Sequence, residues 1–131
     1  MGANVTRTRL ELLAAAGIAL FGAGLLAGAR AVQKPRTVIE VVTIKWAPDA
    51  APESRRAALE GVEKMATEIP GVRNLWLRTL RVQPRDFMTA YAIEFEDAAA
   101  AERYARQPSH DAWNKSYLPI IEESRIQQVT N

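Results

Sequence analysis

The ten residues from Thr37 to Trp46, Thr-Val-Ile-Glu-Val-Val-Thr-Ile-Lys-Trp, constrain the fold more than any other segment. They are rich in β-branched side chains and long enough for a strand. Successive strand residues point to opposite faces. Val38, Val42, Ile44 and Trp46 fall on one face, Ile39 and Val41 on the other. Both faces are therefore mainly apolar. An antiparallel sheet with one wetted face does not need that, so this strand requires a cover on each side. The rest of the chain can supply one cover. A second protein surface has to supply the other.

The chain downstream supplies a helix first. Pro48 and Pro52 stop the strand, and proline is tolerated in a helix's first turn. Ala58, Leu59, Val62, Met65, Ala66 and Ile69 recur at helical spacing, and Pro70-Gly71 ends the run. Val72 to Val82 reads as a second strand, with Leu75, Leu77 and Thr79 on one face and Asn74, Trp76 and Arg78 on the other. Gln83-Pro-Arg-Asp86 is a turn, and Phe87 to Glu96 a third strand with Tyr91, Ile93 and Phe95 on one side. Asp97 and the alanines after it read as a capped helix ending near Gln107. Pro108 breaks it, and Ser109 is placed to cap the next helix. His110, Trp113, Asn114 and Tyr117 share one face of that helix, with Leu118 and Ile121 close by. Arg125 to Val129 reads as a short last strand.

The order is β-α-β-β-α-β with the second α split in two. That order predicts an α+β, ferredoxin-like split βαβ fold: a four-stranded antiparallel sheet with helices on one face. The bare face is best buried against a second copy, which makes a homodimer the expected partner.

The segment before residue 32 is of another kind. Leu12 to Ala29 is 18 residues without a charge, preceded by Arg7 and Arg9 and followed by Arg30. A basic start, an apolar run and A-x-A exits at Ala27-Gly-Ala29 and Ala29-Arg-Ala31 describe a secretory signal. As a helix the run would be about 27 Å long, so an uncleaved anchor is the competing reading. The expected organisation is residues 1–31 as signal peptide or membrane anchor, 32–36 as linker and 37–131 as the folded domain. Export to the periplasm or beyond is the expected localisation, with membrane association only through the first segment.

Beyond residue 31 the chain carries fourteen basic and fourteen acidic residues. A neutral body without a basic stripe argues against nucleic acid as a partner. No cysteine is present, so there is no thiolate chemistry. One histidine with carboxylates makes a poor zinc site, and no metal is expected. That histidine, His110, would open the helix after Pro108, near its positive end, where a neutral imidazole can accept a proton. Tyr104 is the nearest hydroxyl in sequence able to share a pocket with it. The plainer reading is that His110 packs a helix junction.

Several short motifs occur in a telling order: Ile44-Lys45-Trp46, Ile69-Pro-Gly-Val72, Ile93-Glu-Phe-Glu-Asp97 and Tyr104-Ala-Arg-Gln-Pro-Ser-His110. Over about residues 37–130 the chain resembles the Dabb family, the stress-responsive dimeric α/β-barrel domain. The resemblance implies a dimeric α/β barrel with a pocket between sheet and helices. It also implies, from a branch that cyclises polyketides without cofactor or metal, a tyrosine and a histidine at the positions of Tyr104 and His110. On the same basis Glu40, Val42, Ile44, Ala58, Val62, Leu75, Leu77 and Trp113 would line the pocket. Departures from the family pattern are Glu40, where members often carry histidine, Gln107 before the proline, and Arg78 for a frequent glycine. Glu40 would orient His110 or act as a base, or else pair with a lysine or arginine at the pocket mouth.

Two functions follow. One is an exported dimer that binds a small, largely apolar organic ligand, with Tyr104 polarising a carbonyl and His110 shifting a proton. The other is a non-enzymatic envelope stress or assembly protein that acts through its dimer. Haem or metal binding, with a single histidine available, ranks third.

Overall fold

The computed structural model describes residues 31–131. The charge-free run from Leu12 to Ala29, with the signal, anchor and export readings placed on it, lies outside them. Among the described residues no helix is long and apolar enough to cross a membrane.

The elements are β1 (Val38–Trp46), α1 (Pro52–Glu68), β2 (Val72–Trp76), β3 (Thr89–Phe95), α2 (Ala98–Ala105), α3 (Pro108–Tyr117), a 3-10 turn (Leu118–Ile120) and β4 (Ile121–Val129). The strands form one sheet in the order β2-β3-β1-β4, and every pair is antiparallel. This is the ferredoxin-like α+β fold expected.

The apolar first strand takes the centre, where it pairs with β3 on one side and β4 on the other. Its helix-side residues are buried: Val38, Val42, Ile44 and Trp46 pack with Tyr91, Ile93 and Phe95 from β3 and Val62 and Met65 from α1. Pro52 opens α1, whose capping residue Ala51 offers no side-chain bond. Gly71 closes the turn after α1 at φ +95°, a conformation that glycine adopts without steric cost. A Cβ there would also meet that of Ala100 at 2.7 Å.

Four boundaries differ from the sequence expectation. The second strand stops at Trp76, not Val82. The Thr79 hydroxyl accepts from Ala90 N–H (2.8 Å) and donates to Ala90 C=O (3.0 Å). One side chain thus takes the backbone groups that a continuing β2 would pair. The third strand starts at Thr89, since Phe87 N–H is taken by a turn bond to Pro84 C=O; its ring, 1% exposed, lies 4.4 Å under the Arg125 guanidinium. The helix expected to reach Gln107 stops at Ala105. The last strand begins four residues earlier than expected, at Ile121. Pro119 ends the preceding helix, and pairing of Ile121 with Trp46 overrides the weak strand preference of Glu122, Glu123 and Ser124.

The opposite face of the sheet has no helix. Ile39 and Val41 are only half-buried there, and Trp76 and Val129 are 49% and 58% exposed. A depression of about 290 Å³ lies on this face, against Val41, Ala90 and Ala92 and beside Trp76, Arg78 and Leu80.

Candidate functional site

The break between α2 and α3 builds the site. Asp97 caps α2 by accepting from Ala100 N–H at 2.7 Å, which sets the helix phase and turns Tyr104 inward. Tyr104 is 4% exposed and packs edge-on against Phe95, ring centres 5.1 Å apart. After the break α3 starts on Pro108. Its capping position is Gln107, without a side-chain bond, and not Ser109. His110 is therefore the third helical residue rather than the first. It still lies in the first turn, with its N–H donating to Gln107 C=O at 3.0 Å.

The turn brings the rings of Tyr104 and His110 to 5.3 Å between centres, inclined at 67°. His110 lies 5.8 Å from Trp113, which stacks on Tyr117 at 4.2 Å and 16°. Asn114, one turn along α3, places its side-chain nitrogen 3.3 Å from His110 Nδ1. The two orientations of that amide select the two neutral tautomers. A donating N–H puts the ring proton on Nε2; a carbonyl turned to Nδ1–H leaves Nε2 free to accept one.

These residues wall a cavity of about 160 Å³. The sheet contributes Glu40 and Val42 from β1, Tyr91 from β3, and Ser124 and Ile126 from β4. The register explains the set. Val42 faces Tyr91 on one side and Ile126 on the other, and directly opposed residues share a face. Beyond Ser124, β4 is uncovered, with Ile126 62% exposed. The cavity opens on that side.

Of the residues expected to line a pocket, Glu40, Val42, Tyr104, His110 and Trp113 do line this one. Five do not. Ile44 and Val62 are fully enclosed in the core. Ala58 is a buried residue of α1 and borders a separate surface cleft with Ser54 and Ser116. Leu75 and Leu77 flank another, beside Glu63 and Thr67. Ile44 is on β1, Ala58 and Val62 are on α1, and Leu75 is on β2; all pack in or against the core without reaching the cavity wall. The expected pairing of Glu40 with lysine or arginine is also replaced: Gln128, opposite it on β4, donates to its carboxylate at 2.7 Å.

Tyr91, Asn114, Tyr117, Leu118, Ser124 and Ile126 were not foreseen as lining residues. Helical spacing does place Asn114 and Tyr117 on the His110 face. The missed strand start at Ile121 hid Ser124. Gly61 was missed as well. Trp113 donates to Ala58 C=O at 2.8 Å, and a Cβ on Gly61 would lie 2.5 Å from its ring. The glycine makes the seat that holds Trp113 against α1.

Burial raises the Tyr104 phenol above its usual value, and the Glu40 carboxylate adds to the shift. The phenol therefore stays protonated at neutral pH and can donate a hydrogen bond. Its hydroxyl has no partner among the described residues. Tyr117 is raised for the same first reason, burial. Its buried hydroxyl also closes no hydrogen bond of normal geometry; Ser124 is the polar group that approaches it. A protonated phenol beside an imidazole of selectable tautomer can polarise a carbonyl and move a proton. Among the described residues no group of three or more metal-ligating side chains comes together.

Residues 39–130 match the family model described as the Stress responsive A/B Barrel Domain, Dabb. The chain belongs to that family. Comparison with curated proteins returns no match. Among solved structures, a Dabb family protein with a ferredoxin-like fold from Mesorhizobium loti is similar at 22% identity and TM-score 0.62, over 72% of this chain and 96% of that one. A dimeric ferredoxin-like protein from Thermobifida fusca is similar at 14% identity and TM-score 0.64, over 78% and 97%. The hydroxynitrile lyase of Passiflora edulis is similar at 14% identity and TM-score 0.66, over 72% and 93%.

Proposed function

We propose, with a stress-responsive A/B barrel as the premise, that this protein is an exported homodimer binding a small organic ligand beside Tyr104 and His110. One observation carries the ligand reading: a protonated tyrosine and a histidine, 5.3 Å apart, on the wall of a 160 Å³ cavity that the chain's own side chains leave open. Cofactor-free acid–base chemistry is what that pair is suited to, with Tyr104 as donor to a carbonyl oxygen and His110 as proton carrier. Similarity to a hydroxynitrile lyase supports this class of reaction through the fold alone. Where a substrate is found, His110→Ala lowers turnover by about 10²–10⁴-fold and leaves folding intact.

The half-buried Ile39 and Val41 and the depression beside Trp76 support the dimer, as does the dimeric T. fusca neighbour. Export rests on the charge-free run from Leu12 to Ala29. A reporter fused after residue 36 that stays in the cytoplasm refutes it.

The direct test of the ligand reading is mass spectrometry of small molecules released from the purified full chain and from Ser124→Phe, which fills the cavity wall. Recovery of one compound from the wild type alone supports the reading. Equal recovery from both, or none from either, overturns it. The stacked Trp113 and Tyr117 rings favour a second reading, in which the aromatic wall is packing and the dimer alone is functional. The empty outcome of the same experiment would favour that one.

A further inference from the structure

Glu40 is the one carboxylate on the cavity wall among the described residues, and no lysine or arginine lines the cavity with it. It takes part in none of the ion pairs among those residues, which instead join Lys45, Arg56, Arg103, Arg106 and Arg125 to carboxylates elsewhere. Its single hydrogen bond is to a neutral amide, from Gln128 to Oε2; Oε1 has no partner among the described residues. A carboxylate with one bare oxygen thus lines a cavity whose other residues are aromatic, aliphatic (Val42, Leu118, Ile126) or neutral polar (Asn114, Ser124).

We propose that the cavity selects a small amine: a ligand of single-ring size whose ammonium group is held at the Glu40 carboxylate. The proposal rests on the reading of the cavity as a ligand site and specifies the class of ligand. A cavity of about 150 Å³ is known to take a benzene-sized molecule, which sets the size class for this one. Tyr91, Tyr104, Trp113 and Tyr117 on the wall supply apolar contact, and aromatic rings are the apolar groups that also attract a cation. Burial first, and the Glu40 carboxylate after it, raise the Tyr91 and Tyr104 phenols above their usual value, so both stay neutral beside the carboxylate. The start of α3 does not offset it. The N–H groups of His110 and Asp111 already donate to Gln107 C=O, Pro108 has none, Ser109 lines a different cleft, and Asp111 adds a negative charge to the first turn. An anionic ligand would face Glu40 with no lysine or arginine on the wall and only a neutral His110 imidazole beside it, an arrangement that costs affinity.

The test is calorimetric titration of the full chain at neutral pH with three probes of one size: benzylammonium, benzyl alcohol and benzoate. Benzylammonium binds about tenfold more tightly than benzyl alcohol, and benzoate binds weakest. Glu40→Gln keeps the shape and the bond to Gln128, and brings benzylammonium and benzyl alcohol to equal affinity. Glu40→Lys places benzoate above benzylammonium. Circular dichroism identifies any variant that has lost its fold. Benzoate binding as well as benzylammonium, or an ammonium preference that survives in Glu40→Gln, overturns the amine assignment and leaves the ligand site standing. Failure of all three probes to bind the wild type removes the ligand site, and the assignment with it.

Discussion

The two faces of the sheet start from the same strand and end differently. On the helix side of β1, Val42 and Ile44 are 3% and 0% exposed. On the other side, Ile39 and Val41 are half-buried by their own neighbours and no more. The helix side is finished by this chain: Ile44 packs in one core with Val62 and Met65 of α1, and Val42 lines the cavity with His110, Trp113 and Tyr117 of α3. The bare side carries Ile39 and Val41, followed by Thr43 and Lys45, and has no helix over it. Apolar residues on both faces of β1 thus have one cover within the chain, while the cover proposed for Ile39 and Val41 is a second copy.

The largest expected effect tests the finished face. Phe95 is fully buried between Tyr104 and the core, and Phe95→Ala should cost about 3–5 kcal/mol in chemical denaturation. Because Tyr104 rests on that ring, the variant should also lose the cavity. A loss near 1 kcal/mol would mean that the helix side collapses easily and is less finished than its packing indicates.

On the bare face the expected effect is on association, not folding. Val41 sits at its centre, between Ala92 and Gln127. Val41→Asp puts a charge where a second copy is expected, and should weaken a dimer by about 100-fold or more in sedimentation, with the far-ultraviolet spectrum kept. A variant that stays as dimeric as the wild type would show that the copies meet elsewhere.

How much was legible in the sequence follows the same division. Element order and the β1 faces were readable because both rest on periodicity within one segment. So was the meeting of Tyr104 and His110, since Pro108 forces the chain to turn between them. The cavity's outer wall was not. It depends on which β4 residue lies opposite Val42, and nothing in Glu122-Glu123-Ser124 announces a strand. The five misplaced lining residues share a cause. They lie on the correct side of the sheet, but only packed side chains decide whether that side is filled or hollow at a given point.

Gly61 sharpens the comparison at the join between α1 and α3. Alanine is the better helix former by about 1 kcal/mol, so at an open site Gly61→Ala would stabilise. Here its Cβ would lie 2.5 Å from the Trp113 ring, which is also tied to Ala58 C=O. Overpacking of this kind typically costs about 1–3 kcal/mol, and the net expectation is a modest fall in melting temperature. Trp113 should shift as well, with a change in tryptophan emission. Unchanged emission with raised stability would show that Trp113 has room to move and that the cavity wall is not fixed.

The smallest effect separates the faces by pH. Tyr91, Tyr104 and Tyr117 all lie on the helix side, and burial raises each phenol above the unfolded value of 10.0. The neutral form is the one that the fold favours. Stability from these groups is therefore complete below pH 10 and is lost as pH rises past it, because the unfolded chain releases the protons first. The loss should appear in denaturation midpoints measured across that range. Tyr104→Phe removes one of the three titrating groups and should flatten the alkaline decline, while changing stability at pH 7 little, since the Tyr104 hydroxyl has no hydrogen-bond partner among the described residues. A decline as steep as that of the wild type would mean that the Tyr104 hydroxyl meets water in the cavity freely enough to ionise as it does in the unfolded chain. The proton donor beside His110 would then be weaker in that role than its burial implies.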